Sequence, residues 1–229
     1  MNHIVTKAIV LRRVDFGEAD RIITVLTPDQ GKLGLMAKGV RRPKSKLAGG
    51  IELFSVSSIT FMRGRSELGT LISARLDNHY GNIVRDIQRV QLGYDLIKLL
   101  DKITEEDAEA DYFTLLHQLL GALDDTAVTS ELIQIWFYAQ LLRIGGMAPN
   151  LHTDKVGKEL SPDQQYQFDF DSGTFTVLDG GPYGANHIKF LRLLFSDTQP
   201  LVLAKVADMP SLLNAVKQIV IYWQQSYSS

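Results

Sequence analysis

At Tyr80 the spacing of the apolar residues changes, and that change divides the chain into two kinds of structure. Between Val5 and Asp77, short β-branched segments alternate with Gly and Asp turn signals at intervals of roughly ten residues, the pattern of a small barrel or sandwich. Five strands are expected, at Thr6–Val14, Arg21–Thr27, Lys32–Lys38, Leu53–Arg63 and Gly69–Leu76. Five strands with a long connection after the third fit an OB-type barrel better than a larger sandwich. Beyond Tyr80, the series Ile83, Ile87, Val90, Tyr94, Ile97 and Leu99-Leu100 repeats at about 3.6 residues, so the remainder should be mainly helical. Helices are expected at Asn82–Leu100, Ala108–Leu123, Thr129–Ile144, Asn186–Phe195 and Pro210–Tyr222, with Asp208 as a cap ahead of Pro210. Residues 145–183 lie between the third and fourth helices. Their two alternating segments, Gln165–Phe170 and Thr174–Leu178, read as a hairpin, and the stretch is too long to be a mere connection. The fold class is therefore α+β: a five-stranded barrel over 1–80 and a helical bundle over 81–229 that carries a small hairpin insertion.

Charge is sorted along the same division. Residues 1–80 hold 13 Lys and Arg against 7 Asp and Glu, while 81–229 hold 11 against 19. The stretch 30–51 contains Lys32, Lys38, Arg41, Arg42, Lys44 and Lys46 and not one carboxylate. A solvated loop ordinarily mixes signs, so four cations between Arg41 and Lys46, stiffened by Pro43, point to a polyanion, for which nucleic acid is the usual candidate. Lys32, Arg63 and Arg65 continue the stripe if they share its face. Before Tyr80 the only aromatics are Phe16, Phe54 and Phe61, the last two in apolar settings, so few rings are free to stack on bases. Binding should then be dominated by phosphate and tolerant of sequence, with a salt slope of roughly −3 to −4 on a single strand.

Several classes are disfavoured. The chain has no Cys, which removes disulfides and thiolate zinc sites, and its five His (3, 79, 117, 152 and 187) show no ligand spacing. The sequence contains no phosphate-loop, nucleophile-elbow or zinc-protease motif, so no enzyme activity and no cofactor are expected. The acids of Asp15 and Gly17–Asp20 read as a polar turn between the first two strands. The run Glu105, Glu106, Asp107, Glu109 and Asp111 reads as a helix start, where carboxylates complement the dipole. Trp136, Phe137, Leu141 and Leu142 read as helical core, and Arg143 as either a helix-end cap or a contact for an acidic partner. No apolar run approaches the roughly 20 residues of a membrane span, and residues 1–11 lack a secretory core, so a cytoplasmic protein with no membrane contact is expected.

The residues Ala8-Ile9-Val10-Leu11-Arg12, Asp15-Phe16-Gly17-Glu18-Ala19-Asp20-Arg21-Ile22, Gly31-Lys32-Leu33 and Ala37-Lys38-Gly39-Val40-Arg41-Arg42-Pro43-Lys44-Ser45 resemble the RecO family of bacterial recombination mediators. The likeness extends more loosely through Leu141–Leu151. The resemblance implies an OB barrel, a helical C-terminal domain, binding to single- and double-stranded DNA, strand annealing, and nucleoid-associated work with RecR, RecF and single-strand-binding protein to load RecA. It also implies a four-cysteine zinc site in the insertion, which this chain lacks. Thr153 and Val156 lie near the expected first pair, with Gly157 retained, so the subdomain should be metal-free and packed on Tyr166, Phe168, Phe170 and Phe175. Two other classes fit the same cations: an adaptor gripping acidic protein tails, and an RNA-binding OB protein.

Overall fold

The computed structural model describes residues 3–63, 68–105 and 108–228, with the side chains of 227 and 228 undescribed. It is α+β: five strands come first and helices follow. The strands are β1 (His3–Phe16), β2 (Asp20–Leu26), β3 (Lys32–Ala37), β4 (Ser55–Met62) and β5 (Gly69–His79). Their order is β1-β2-β3-β5-β4, and the β1–β4 ladder joins the two ends. One long strand makes this possible. Residues 3–9 of β1 pair with β4 and residues 9–16 pair with β2, and the β1–β2 register shifts between Val10 and Arg12 close to where one partner gives way to the other. A short parallel pairing of Leu35 and Met36 with Gly69 and Thr70 ties β3 to β5.

Alternate residues of each strand face inward, as the pleat requires. Ile23 and Val25, Leu35 and Ala37, and Ile59 and Phe61 are all buried in one core, which Val40 and Ile51 join from outside the strands. That core positions the candidate site, because Val40, near the start of the basic loop, and Ile51, just past its end, anchor it.

By contacts the chain separates into two compact units, 1–126 and 127–229. The first includes α1 (Ile87–Ile103) and α2 (Ala110–Asp124) along with the strands. The helix expected from Asn82 starts later: residues 83–85 form a 3-10 turn, and Asp86 caps α1 by accepting from the amides of Gln88 and Arg89. Gly93 lets α1 approach Phe54, whose ring would stand 2.7 Å from any Cβ at that position. Two cations close helix C-termini. Arg89, buried, donates to the carbonyls of Leu123 (2.8 Å), in the last turn of α2, and of its C-cap Asp125 (3.0 Å), and Lys32 does the same for α1. Asp111 lies in the first turn of α2, where the dipole favours a carboxylate, whereas Glu106 and Asp107 lie outside the described residues.

The second unit comprises α3 (Ser130–Ile144), β6 (Tyr166–Asp169), β7 (Thr174–Val177), α4 (Ala185–Leu194), α5 (Pro200–Leu203) and α6 (Met209–Ser228). Trp136, Phe137, Leu141 and Leu142 are buried. Gln140 donates from Nε2 to the carbonyls of Leu194 and Ser196, closing the end of α4. The α5 turn has no counterpart in the sequence reading because four residues are too few to show a period.

The hairpin β6–β7 pairs Tyr166 with Val177 and Phe168 with Phe175. Its aromatic rings form a chain of edge contacts: Tyr166 on Phe175, Phe168 on Phe175 and Trp223, and Phe170 on Tyr222. The neighbouring turn is shaped by oxygen acceptors. Asp154, nearly buried, accepts from the amides of Val156 (3.0 Å) and Lys158 (2.9 Å), Gly157 turns at φ +84°, and Asn150 accepts from the amides of His152 and Thr153. The donor set does not fit a zinc ion. Thr153 and Val156 offer no strong ligand, the carboxylate of Asp154 is occupied by amides, and no cluster of three His, Asp or Glu suited to a metal occurs among the described residues.

Candidate nucleic-acid interface

The basic loop runs from Lys38 to Gly50 and is braced at both ends. At its start, Val40 is buried in the core, while Arg41 donates its amide to the carbonyl of Ala19 at 2.9 Å. The carboxylate of Asp20 accepts from the Gly39 amide at 2.7 Å, with Gly39 at φ +65°. The acidic turn between β1 and β2 thus receives the loop, a task beyond simple chain reversal. Arg41 also reaches Asp15 (3.5 Å), which Arg21 already holds at 2.7 Å. The hydrogen bond from Arg21, helped by the charges of Arg41 and Arg13 and opposed by burial, keeps the Asp15 carboxyl below its ordinary range. At the far end, Leu47 and Ala48 pack on the core, and Gly50 sits so close to β5 that a Cβ would meet the Ala74 backbone at 2.6 Å.

Between these anchors the chain makes two tight turns, from Gly39 O to the Arg42 amide and from Arg42 O to the Ser45 amide, both 3.1 Å. Lys38, Arg41, Arg42, Lys44 and Lys46 are all exposed along them. Among the described residues, no carboxylate forms an ion pair with Lys38, Arg42, Lys44 or Lys46. Lys44 has φ 67°, a conformation that costs an L residue roughly 1 kcal/mol and that Gly would adopt freely. A cation therefore occupies a position where the backbone alone favours glycine.

The other candidates lie elsewhere. Lys32 begins β3 and Ala37 ends it, so the loop is about 17 Å from Lys32 along the strand. The Lys32 ammonium donates to the carbonyls of Asp101 (2.7 Å) and Thr104 (2.6 Å) and faces the Asp101 carboxylate at 3.3 Å, with 18% of the side chain exposed. Its charge closes α1. Arg63 is exposed and donates to Gln30 at 3.1 Å, in the turn that precedes β3 and so at the end of that strand away from the loop. Arg65 lies outside the described residues. Arg143, in the second unit, caps no carbonyl among the described residues; it donates to the Gln140 side chain at 2.9 Å and pairs with exposed Asp197 at 3.0 Å. Phe54 and Phe61 are buried and Phe16 is half exposed.

Sequence reasoning missed a groove between β1 and α1, of about 880 Å³, into which Tyr94 opens. Tyr94 continues the apolar period of α1, which gave it the look of a core residue. No helix among the described residues is long and apolar enough to cross a membrane.

Comparison with known proteins gives these features a lineage. The family description "Recombination protein O N terminal" matches residues 1–80, and "Recombination protein O C terminal" matches 84–225. A protein of Dehalococcoides mccartyi named DNA repair protein RecO is 32% identical over 203 residues, covering 85% of this chain and 79% of the relative. One of the same name from Halalkalibacterium halodurans is 28% identical over 231 residues, covering 97% and 89%. Another, from Salinibacter ruber, is 30% identical over 185 residues, covering 79% and 67%. With both halves matched by one family's descriptions and relatives of that name aligned across most of their length, the chain belongs to the RecO family.

Proposed function

We propose that this chain serves DNA repair and recombination by holding DNA through the phosphate backbone on the loop bearing Lys38, Arg41, Arg42, Lys44 and Lys46, and by annealing complementary strands there. The observation that carries this reading is the braced loop itself: five exposed cations, four of them with no carboxylate pair among the described residues, project from a platform fixed at both ends. Membership of the RecO family, and relatives named for DNA repair, support the biological role. Annealing follows from charge. Two strands repel each other, and a shared positive surface lowers the cost of bringing them together, while the absence of base readout leaves pairing free to occur. In this role the protein acts as a binder without catalysis.

In this reading residues 1–80 form an OB-type barrel that carries the DNA contact, and the acidic remainder, including the hairpin subdomain at 145–183, serves protein partners: RecR, RecF and single-strand-binding protein, with RecA loaded as the outcome. Arg143, whose partners among the described residues are exposed Asp197 and Gln140, is a contact for an acidic segment there. The work belongs in the cytoplasm at the nucleoid.

The test is annealing of two complementary labelled oligonucleotides followed by energy transfer. Wild-type protein should accelerate pairing, and a variant with Arg41, Arg42, Lys44 and Lys46 all replaced by Ala should lose at least tenfold of that acceleration at moderate salt. Equal acceleration by the folded variant refutes the loop as the annealing surface.

A further inference from the structure

We propose that the groove between β1 and α1 is a second contact for single-stranded DNA, in which an unpaired base rests against the ring of Tyr94 and the adjoining phosphates meet Arg12, Lys98 and Lys102. This rests on the DNA-binding reading above and adds to it a site for bases.

The groove is large enough for a nucleotide, since about 880 Å³ falls within the usual range of small-ligand sites. Its floor is apolar, with Leu11 and Ile97 buried beneath it. Its charged lining comprises four cations, Arg12, Arg13, Lys98 and Lys102, against two carboxylates, Asp95 and Asp101; Arg12 pairs with Asp101 at 3.6 Å and Arg13 with Glu52, just outside the lining, at 2.8 Å, so the balance with Glu52 included is one positive charge and favours an anion. Lys98 and Lys102 are one helical turn apart on α1 and both exposed, a spacing that places two positive charges along one edge.

Tyr94 distinguishes a nucleic acid from other anions. Tyr94 lines the groove and is 46% exposed as a residue, yet its ring is braced, standing 5.2 Å from Phe54 in an edge contact at 72°. Phe54 is itself buried and pressed against Gly93. A ring braced on one side and open on the other is the arrangement that base stacking uses, because little conformational freedom remains to be lost when the base arrives. It adds, from a helix, an exposed ring to the half-exposed Phe16 of β1.

The groove also continues the basic loop. The loop re-enters the core at Ile51, whose carbonyl accepts from Arg13 at 3.3 Å, and Leu53, two residues on, already lines the groove. The segment that ends the loop, after the 3-10 turn at Ala48–Gly50, thus borders the groove.

Stacking requires an unpaired base, which gives the test its selectivity. Binding of the full chain to labelled oligothymidylate and to a duplex of the same length is compared for wild type, Tyr94→Leu, which keeps the apolar contact with Phe54, and Tyr94→Phe, which keeps the ring. Tyr94→Leu is expected to weaken single-strand binding by about 5- to 150-fold with the salt slope retained, Tyr94→Phe to bind as wild type, and neither to alter duplex binding. Unchanged single-strand affinity in Tyr94→Leu, or equal losses on both DNAs, overturns the proposal. So does a fluorescein-labelled peptide of alternating Asp and Leu that binds in a Tyr94-dependent way while single-strand affinity stays constant, because the groove would then belong to an acidic protein. Failure of wild type to bind either DNA would instead refute the DNA-binding reading itself.

Discussion

Lys32 separates a structural cation from a DNA-contacting one, and Lys32→Met makes the difference measurable. Methionine keeps most of the stem but removes an ammonium that donates to Asp101 O and Thr104 O at 2.7 and 2.6 Å and faces the Asp101 carboxylate at 3.3 Å. Hydrogen bonds involving a charged group contribute about 1.5–3 kcal/mol each, and breaking a fully buried pair costs about 3–5 kcal/mol. Lys32 and Asp101 are 18% and 21% exposed, so water compensates in part and a loss of about 3 kcal/mol is expected for the first unit. With a urea slope of about 2 kcal/mol per molar, the midpoint should fall by about 1.5 M. Both tryptophans, Trp136 and Trp223, lie in the second unit, so their fluorescence does not report this event; hydrogen exchange along α1 does. The salt slope of DNA binding should not change. An unmoved midpoint together with a slope shallower by about 0.7, the contribution of one phosphate on a single strand, would refute the assignment of Lys32 to helix closure.

Gly50→Ala should destabilise the first unit by about 2 kcal/mol, read from its urea midpoint, because a methyl group there collides with the Ala74 backbone of β5 and cannot be accommodated by a rotamer change. Asp154→Ala should lower the midpoint of the second unit's unfolding, followed by tryptophan fluorescence, by an amount equivalent to about 2 kcal/mol, since it leaves the amides of Val156 and Lys158 without their acceptor; a chelator should leave the wild-type midpoint unchanged. Asp169 is held well below the usual carboxylate range, first by the hydrogen bond from Lys155 and then by Ser172. A depressed folded pKa contributes stability that is present above the unfolded value near 4 and is lost as pH falls toward the folded one. The second unit should therefore weaken progressively below about pH 4, and Lys155→Met should flatten that dependence in acid titrations monitored by fluorescence.

The sequence carried the strand pattern and most of the helices because both rest on local periodicity: all five strands of the first sheet appear within a few residues of their expected bounds, as does the hairpin around Phe168 and Phe175. What periodicity does not encode is which polar group meets which across the fold. Lys32 looked like one more cation of a basic stripe, and only the approach of α1, 69 residues later in sequence, shows its charge engaged. The Asp20 carboxylate looked like part of a turn, and its bond to the Gly39 amide depends on β2–β3 pairing. Tyr94 has the spacing of a core residue and sits at the margin of the apolar stripe, where a shift of one residue around the helix separates burial from exposure. The five loop cations were legible because a run with no carboxylate is visible without any tertiary information.

The measurement that bears most directly on the loop is the salt dependence of binding to a labelled 40-nucleotide single strand, by fluorescence anisotropy, for wild type and for the variant with Ala at positions 41, 42, 44 and 46. The slope of log affinity against log salt should become shallower by about 3 in the variant, the share of four phosphates, with affinity at moderate salt reduced at least tenfold. The same slope and affinity in both proteins, each folded by circular dichroism, would place the DNA on some other surface.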